Sequence, residues 1–324
     1  MASESEYVFT RDYADNNRIN SQHYLWCELY GYHIHPKIPI KDANVRVADV
    51  GTGTGIWLRD VGARLPKSVQ LEGLDISFKA APPPEWLSSN VRLRYWNIRE
   101  PVPDELLGAY DIVHIRNFSF VLKDDEIDSV LGRLIQITKL GGYLQWAEPD
   151  VASFRVGKRS PDTNADYLRK LYDLTQSLEG LANPTWVPRL PGVFEEHGLQ
   201  AIESDVREAP HDLALAMHEC NLPIHELIAQ QTRNKELAQR LEQLMPEVCR
   251  QTREGSLLSP AGWWWERSLR HRELAGSLLG CAGFSMLHRL YRILVGITVS
   301  VSLNDKQNST VLGLTATNMH RLRM

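Results

Sequence analysis

Val47-Ala48-Asp49-Val50-Gly51-Thr52-Gly53-Thr54-Gly55-Ile56-Trp57 is a short apolar run ending in three glycines at alternate positions. The β-branched Val45, Val47 and Val50 suit a buried parallel strand. The glycines suit a turn too crowded for side chains. Ile56, Trp57, Val61 and Leu65 then line one face of a helix that Pro66 stops. Strand, glycine turn and helix start is how an α/β sheet brings backbone N–H groups up to a polar ligand. A dinucleotide-binding turn reads G-x-G-x-x-G, but here the third glycine comes one residue early and Ile56 stands at the later position. A second apolar segment, 69–74, ends in Asp75, which is 20 residues past Gly55. An acidic side chain there accepts the hydroxyls of a ribose; the alternative is a turn-opening aspartate before Ser77.

The chain has 324 residues, enough for a substantial core with a lid, and a formal net charge of -4. That charge argues against a general nucleic-acid binder, which needs a basic surface. Cys27, Cys220, Cys249 and Cys281 are scattered without a C-x-x-C pair, so neither a zinc knuckle nor a disulfide frame is expected and a reducing cytoplasm fits. The acidic start, Met1 to Glu6, is no signal or transit peptide. In the apolar stretch 274–303, His288, Arg289 and Arg292 interrupt the run that a membrane-spanning helix needs.

The middle of the chain alternates strands and helices, the pattern of a parallel sheet covered on both faces. Segments 91–96 and 111–116 read as the third and fourth strands. A helix follows, with Ile127, Val130, Leu131, Leu134 and Ile135 on one face, capped by Asp124 or Asp125 and ended by Gly141-Gly142. Tyr143 to Trp146 is a fifth strand leading to Glu148 and Asp150. Ile19, His23, Trp26 and Tyr30 form a stripe on an N-terminal helix. Leu168, Leu171, Tyr172 and Leu178 mark another helix, 193–206 a helix–strand unit, and 213–228 and 234–250 two more helices. The expected architecture is α/β, a Rossmann-like sheet with helices on both faces and an added helical lid. Its boundaries are an N-terminal helical lid at 1–40, a cofactor-binding core at 41–210, a helical cap at 211–255 and a divergent tail at 256–324.

With five ordered strands, the chain resembles the class I S-adenosylmethionine-dependent methyltransferases. More narrowly it resembles those of fungal secondary-metabolite clusters, of the gliotoxin-pathway N-methyltransferase type. Tyr7-Val8-Phe9, the 18–26 segment, the 48–57 motif, Gly73-Leu74-Asp75-Ile76-Ser77, the 111–116 strand and Gly141 to Trp146 carry the likeness. The resemblance implies that Asp49, Gly51, Gly53 and Gly55 cradle the methionine part of S-adenosyl-L-methionine and that Asp75 holds its ribose. It places Asn97 and Ile98 at the adenine, although many relatives carry aspartate where Asn97 stands. Arg116 and Asn117 would lie beneath the sulfonium, the alternative for Arg116 being a strand-end cap. The implied reaction is methyl transfer to nitrogen or oxygen of a small-molecule metabolite. Two other readings stay open: a methyltransferase-fold regulator of secondary metabolism, and a scaffold that binds the cofactor without methylating.

Methyl transfer from a sulfonium needs alignment, exclusion of water and, for some substrates, a proton acceptor. Glu148, past the fifth strand, and His23, on the lid helix, are the candidate catalytic residues; Asp150 and His114 are further acceptors, His114 being more consistent with a core histidine. His33-x-His35 offers two metal ligands with no third in view, so no metal is expected. Trp26, Tyr30, Trp146 and Trp186 are candidates for pocket walls or core.

At 261–266 relatives have a last strand of the form Val-Val-Val-Gly-Arg/Lys, whereas this chain reads Ala-Gly-Trp-Trp-Trp-Glu. Tryptophan has one codon, so the segment is encoded GGN-TGG-TGG-TGG-GAR. Shifted by one base, this gives Leu/Met/Val-Val-Val-Gly. A frameshift or mis-spliced gene is therefore expected from about residue 262 onward, with loss of the last strand.

Overall fold

In the computed structural model, which describes residues 10–40, 44–176 and 184–270, the Val47 run becomes β1 (Arg46–Val50), and Ile56 opens α2 (Ile56–Arg64). Before it, α1 (Tyr13–Tyr30) starts where the Asp12 carboxylate accepts the N–H groups of Ala14 and Asp15 at 2.9 and 3.0 Å. It ends at Gly31, whose φ of 71° permits the left-handed cap. β2 (Gln70–Asp75), β3 (Val91–Tyr95), β4 (Tyr110–Arg116), α3 (Ile127–Ile137) and β5 (Thr138–Pro149) follow. β6 (Arg155–Lys158), α4 (Asp166–Gln176), α5 (Leu190–Glu196), β7 (Leu199–Arg207), α6 (His211–Gln231), α7 (Lys235–Arg253), β8 (Ser256–Ser259) and β9 (Trp263–Arg270) complete the described chain. Leu178 and residues 271–324 lie outside the described residues.

The main sheet has seven strands in the order β3-β2-β1-β4-β5-β9-β7. β1 to β5 pair in parallel, and β9 runs antiparallel between β5 and β7. Strand alternation sorts the core onto two faces. Val47, Leu71 and Ile112 pack against Trp57, Leu58 and Val61 of α2. Ala48, Val50, Val113 and Ile115 pack with Val130, Leu131 and Leu134 of α3 and Phe194 of α5. Helices therefore cover both faces, as a parallel sheet requires.

Gly141 and Gly142 do not end the helix before β5. α3 stops at Ile137, and the two glycines sit within β5 beside a register shift against β4. A Cβ at Gly142 would come within 2.9 Å of the Asp111 carbonyl oxygen, so the glycine serves close strand approach. Asp124 does not cap α3 either; it accepts the Thr185 N–H at 3.0 Å.

The 41–210 boundary drawn for the core leaves out one of its strands. Trp263–Arg270 fills the slot beside β5 that a lost last strand would have left open. Trp263 and Trp265 pack there against Trp26, Leu29 and Tyr30 of α1. α4, α6 and α7 form a further apolar cluster with Leu258 of β8. This helical layer and α1 meet through α6 beside the C-terminal ends of the parallel strands.

Candidate active site

The parallel strands end at a cavity floored by Asp49, Gly51, Thr52 and Gly53 on and after β1, Asp75 and Ile76 at the end of β2, Trp96 to Ile98 after β3, and His114, Arg116, Asn117 and Phe118 on and after β4. Arg18, Ile19 and Gln22 of α1 and Ile224 of α6 close it from the lid side. This is where an open parallel sheet binds its ligands.

The three glycines serve different ends. All have positive φ, at 69°, 54° and 69° for Gly51, Gly53 and Gly55. A Cβ on Gly51 would meet the Phe118 ring at 2.5 Å, so that glycine admits a cavity-lining aromatic. At Gly53 the nearest atom to a Cβ is the Gly51 carbonyl oxygen at 3.9 Å, leaving open space on the cavity side. Gly55 does not line the cavity: it is the N-cap of α2, and its N–H donates to the Thr52 carbonyl at 2.8 Å.

Asp75 accepts the Gly53 N–H on Oδ2 at 2.9 Å and the Ser77 N–H on Oδ1 at 3.1 Å. Burial raises its carboxyl above the usual aspartate range, while the two N–H groups oppose that by favouring the charge. Asp49 is committed below the turn: Oδ2 accepts the Thr52 hydroxyl at 2.8 Å and Oδ1 accepts His114 Nδ1–H at 2.7 Å. Asn97 lines the cavity, but its amide closes its own turn, with Oδ1 on the Arg99 N–H at 3.0 Å and Nδ2 on Glu100 at 3.3 Å. Ile98 beside it is buried.

Asn117 is held at φ 63° and gives Nδ2 to Gln22 at 3.2 Å. Its Oδ1, Trp96 Nε1 and His114 Nε2 are buried without a hydrogen-bond partner among the described residues, and all three residues line the cavity. Orphaned buried polar atoms each cost about 1–3 kcal/mol, so three on one cavity mark a place for a polar ligand.

The two residues singled out for catalysis are not on the cavity wall. Glu148 is buried, with Oε1 accepting Phe118 N–H and Trp146 Nε1–H at 2.7 Å each and Oε2 accepting Ser119 N–H at 2.9 Å. It clamps the turn after β4, and burial lifts its carboxyl to about 7. His23 is fully buried: Nε2 contacts Asp60 Oδ2 at 3.0 Å and Nδ1 accepts from Arg116 Nη2 at 3.1 Å. Burial, then Arg116, lower its pKa to about 4, so the ring is neutral with its lone pair already engaged. Arg116 reaches the cavity and also lies 5.7 Å over the Trp26 ring.

His114 was expected in the core, and it is stacked on Trp57 with centroids 3.9 Å apart, yet its Nε2 remains unsatisfied at the cavity. Parity was the available signal. His114 and Arg116 share a β4 face opposite to Val113 and Ile115, toward α1 and α2. Trp26 and Tyr30 are core against Trp263 and Trp265, and Trp146 and Trp186 are core on the α3 side.

The expectation of no third ligand near His33 fails on tertiary grounds. His23, Cys27, His33 and Asp60 converge so that one ligand atom from each lies within 4.8 Å of the others. His35 instead faces Glu203 at 3.8 Å.

No family model matches the chain. It is 31% identical over 219 residues to N-methyltransferase gliN of Aspergillus fumigatus, covering 64% of this chain and 73% of that one. It is 34% identical over 159 residues to methyltransferase grgD of a Penicillium species (47% and 55% covered), and 30% over 154 residues to N-methyltransferase tcpN of Claviceps purpurea (46% and 54%). The matched stretch thus spans about half the length of grgD and tcpN.

Proposed function

The chain belongs to the methyltransferase family of gliN, and on that premise we propose that it moves a methyl group from S-adenosyl-L-methionine to nitrogen or oxygen of a small-molecule secondary metabolite in the cytoplasm. Both gliN and tcpN are named N-methyltransferases, which favours nitrogen. Among the described residues no helix is long and apolar enough to cross a membrane. The observation that carries the reading is the cavity at the glycine turn, with Asp75 and three orphaned polar atoms on its wall.

These residues fit the cofactor. The Gly51–Gly53 turn leaves backbone room for the methionine part, and Asp75, its oxygens oriented by backbone N–H groups, retains lone pairs for two ribose hydroxyls. Trp96 and Ile98 offer apolar walls for a base, and Asn117 Oδ1 and Arg116 offer polar contacts nearer α1. When bound, S-adenosyl-L-methionine supplies a methyl group already activated on a sulfonium sulfur. The chain's own work is then alignment and desolvation by α1 and α6, together with proton acceptance. His114 is suited to the latter: Asp49 fixes Nδ1–H, which leaves the lone pair on Nε2. Glu148 acts one step back, by holding the turn that presents Asn117 and Phe118.

The test is labelled methyl transfer from S-adenosyl-L-methionine to a metabolite extract. Chain-dependent label in a small molecule supports the reading. A chain that binds the cofactor but transfers nothing contradicts it in favour of a regulator or a non-methylating scaffold.

A further inference from the structure

On the far side of His23 from the cavity, four side chains from three segments meet. His23 and Cys27 are one turn apart on α1, His33 follows the Gly31 cap, and Asp60 comes from α2. Asp60 Oδ2 lies 3.0 Å from His23 Nε2 and 3.2 Å from His33 Nε2. Cys27 Sγ lies 3.6 Å from His23 Nε2 and 3.4 Å from His33 Nε2. A tetrahedral cation with bonds near 2.0–2.3 Å has ligand–ligand edges of roughly 3.2–3.7 Å. These four distances are close to four of the six edges of such a polyhedron, and the other two lie within 4.8 Å.

Hydrogen bonds alone account for only part of the cluster. Both imidazoles can give Nε2–H to Asp60, but the Cys27 thiol then faces two nitrogens that are already protonated and cannot accept from it. A cation at the centre satisfies all four atoms at once. The outer contacts of Asp60 and His33 also suit one. Arg59 and Arg64 sit 3.5 and 3.7 Å from Asp60 Oδ1, leaving Oδ2 for the centre. Trp57 and Gln145 both donate to the His33 carbonyl oxygen, at 3.3 and 3.0 Å, and so hold that residue in place.

We propose that His23 Nε2, Cys27 Sγ, His33 Nε2 and Asp60 Oδ2 bind one zinc-type divalent cation. Two imidazoles, a thiolate and a carboxylate are a borderline-soft set that selects zinc over magnesium or calcium. With four protein ligands the site is closed, a staple between α1 and α2 rather than a catalytic centre. Loading releases one proton, from the thiol; His23, whose proton is on Nε2 while Nδ1 accepts from Arg116, carries it on Nδ1 instead, so both imidazoles are neutral ligands through Nε2. His23 Nδ1 then no longer accepts from Arg116, so the guanidinium turns toward the cavity it already lines. The staple thereby sets the position of a cavity cation.

The test uses the full chain and does not depend on methyl transfer. After equilibration with zinc and removal of the unbound metal, elemental analysis is expected to find about one zinc per chain. Cobalt in its place is expected to give intense tetrahedral visible bands and a thiolate charge-transfer band. Cys27→Ser, checked for folding by circular dichroism, should abolish the charge-transfer band and weaken zinc binding ~10-fold or more. Metal content far below one per chain, or a weak octahedral cobalt spectrum in the unmodified chain, overturns the proposal. Either result leaves the hydrogen-bonded cluster as the explanation, and neither reading requires a variant to fold.

Discussion

His114 and Glu148 occupy neighbouring strands, and what surrounds each decides what it can do. Glu148 has three N–H donors and no route to the cavity, so exchange of an acceptor oxygen for an amide NH2 sets donor against donor. Glu148→Gln is expected to cost about 1–3 kcal/mol in urea unfolding. His114 has one committed nitrogen and one open one. His114→Gln is expected to lower kcat ~100-fold or more with little change in the KM for S-adenosyl-L-methionine; an equal rise in KM with kcat intact would point to binding alone. The sequence placed Glu148 past the fifth strand and His114 within the fourth, and only strand parity could have told which face each takes. Counting parity from the buried Trp146 would have sent Glu148 to the α3 side, because side chains two apart share a face. The pairing of His23 and Cys27 with His33 and Asp60 was out of reach of spacing, since a helix packing angle brings Asp60 in.

β9 carries the mismatch between sequence and slot. Its place is central, between β5 and β7, yet Trp263 Nε1, Trp265 Nε1, Glu266 Oε1, Arg267 Nε and Ser268 Oγ are all buried without a partner among the described residues. The expected loss of the last strand does not occur, though an apolar Val-Val-Gly strand, as the shifted frame would encode, would bury none of these groups. Sequencing the transcript across codons 262–266 is expected to return that shifted frame; an unshifted message contradicts it. The buried Glu266 also leaves a pH signature. Burial raises its carboxyl to about 7 from 4.5, so between those values the unfolded chain ionises while the folded one holds its proton. Stability from this group is full below about pH 4.5 and is lost as pH rises toward 7, by about 3 kcal/mol at most. Glu148, raised to about 7 as well, adds a slope of the same sign, so Glu266→Gln should reduce the slope in chemical unfolding followed against pH and leave the part due to Glu148. The strand was misjudged because the segment was held against the Val-Val-Val-Gly pattern, whereas tryptophans also favour strands, and pairing with β5 and β7 and an apolar α1 face accommodate them.

At the scale of the molecule, a parallel sheet supplies one wall of the cavity and α1 and α6 supply the other. The first five strands and most helices were legible because each has a clean period of two or near 3.6 and a turn residue at its end. How α1 and α6 meet over the strand ends was not, since that depends on packing between segments far apart in sequence. Binding at the cavity should slow amide exchange in Tyr13–Tyr30 and His211–Gln231 relative to α3, which faces away. The most direct test of the central claim is equilibrium titration of the full chain and of its Asp75→Ala variant with S-adenosyl-L-methionine. Saturable binding at a single site, weakened ~10- to 100-fold by the substitution, is the predicted result. No binding by the unmodified chain, or equal binding by both, contradicts the account.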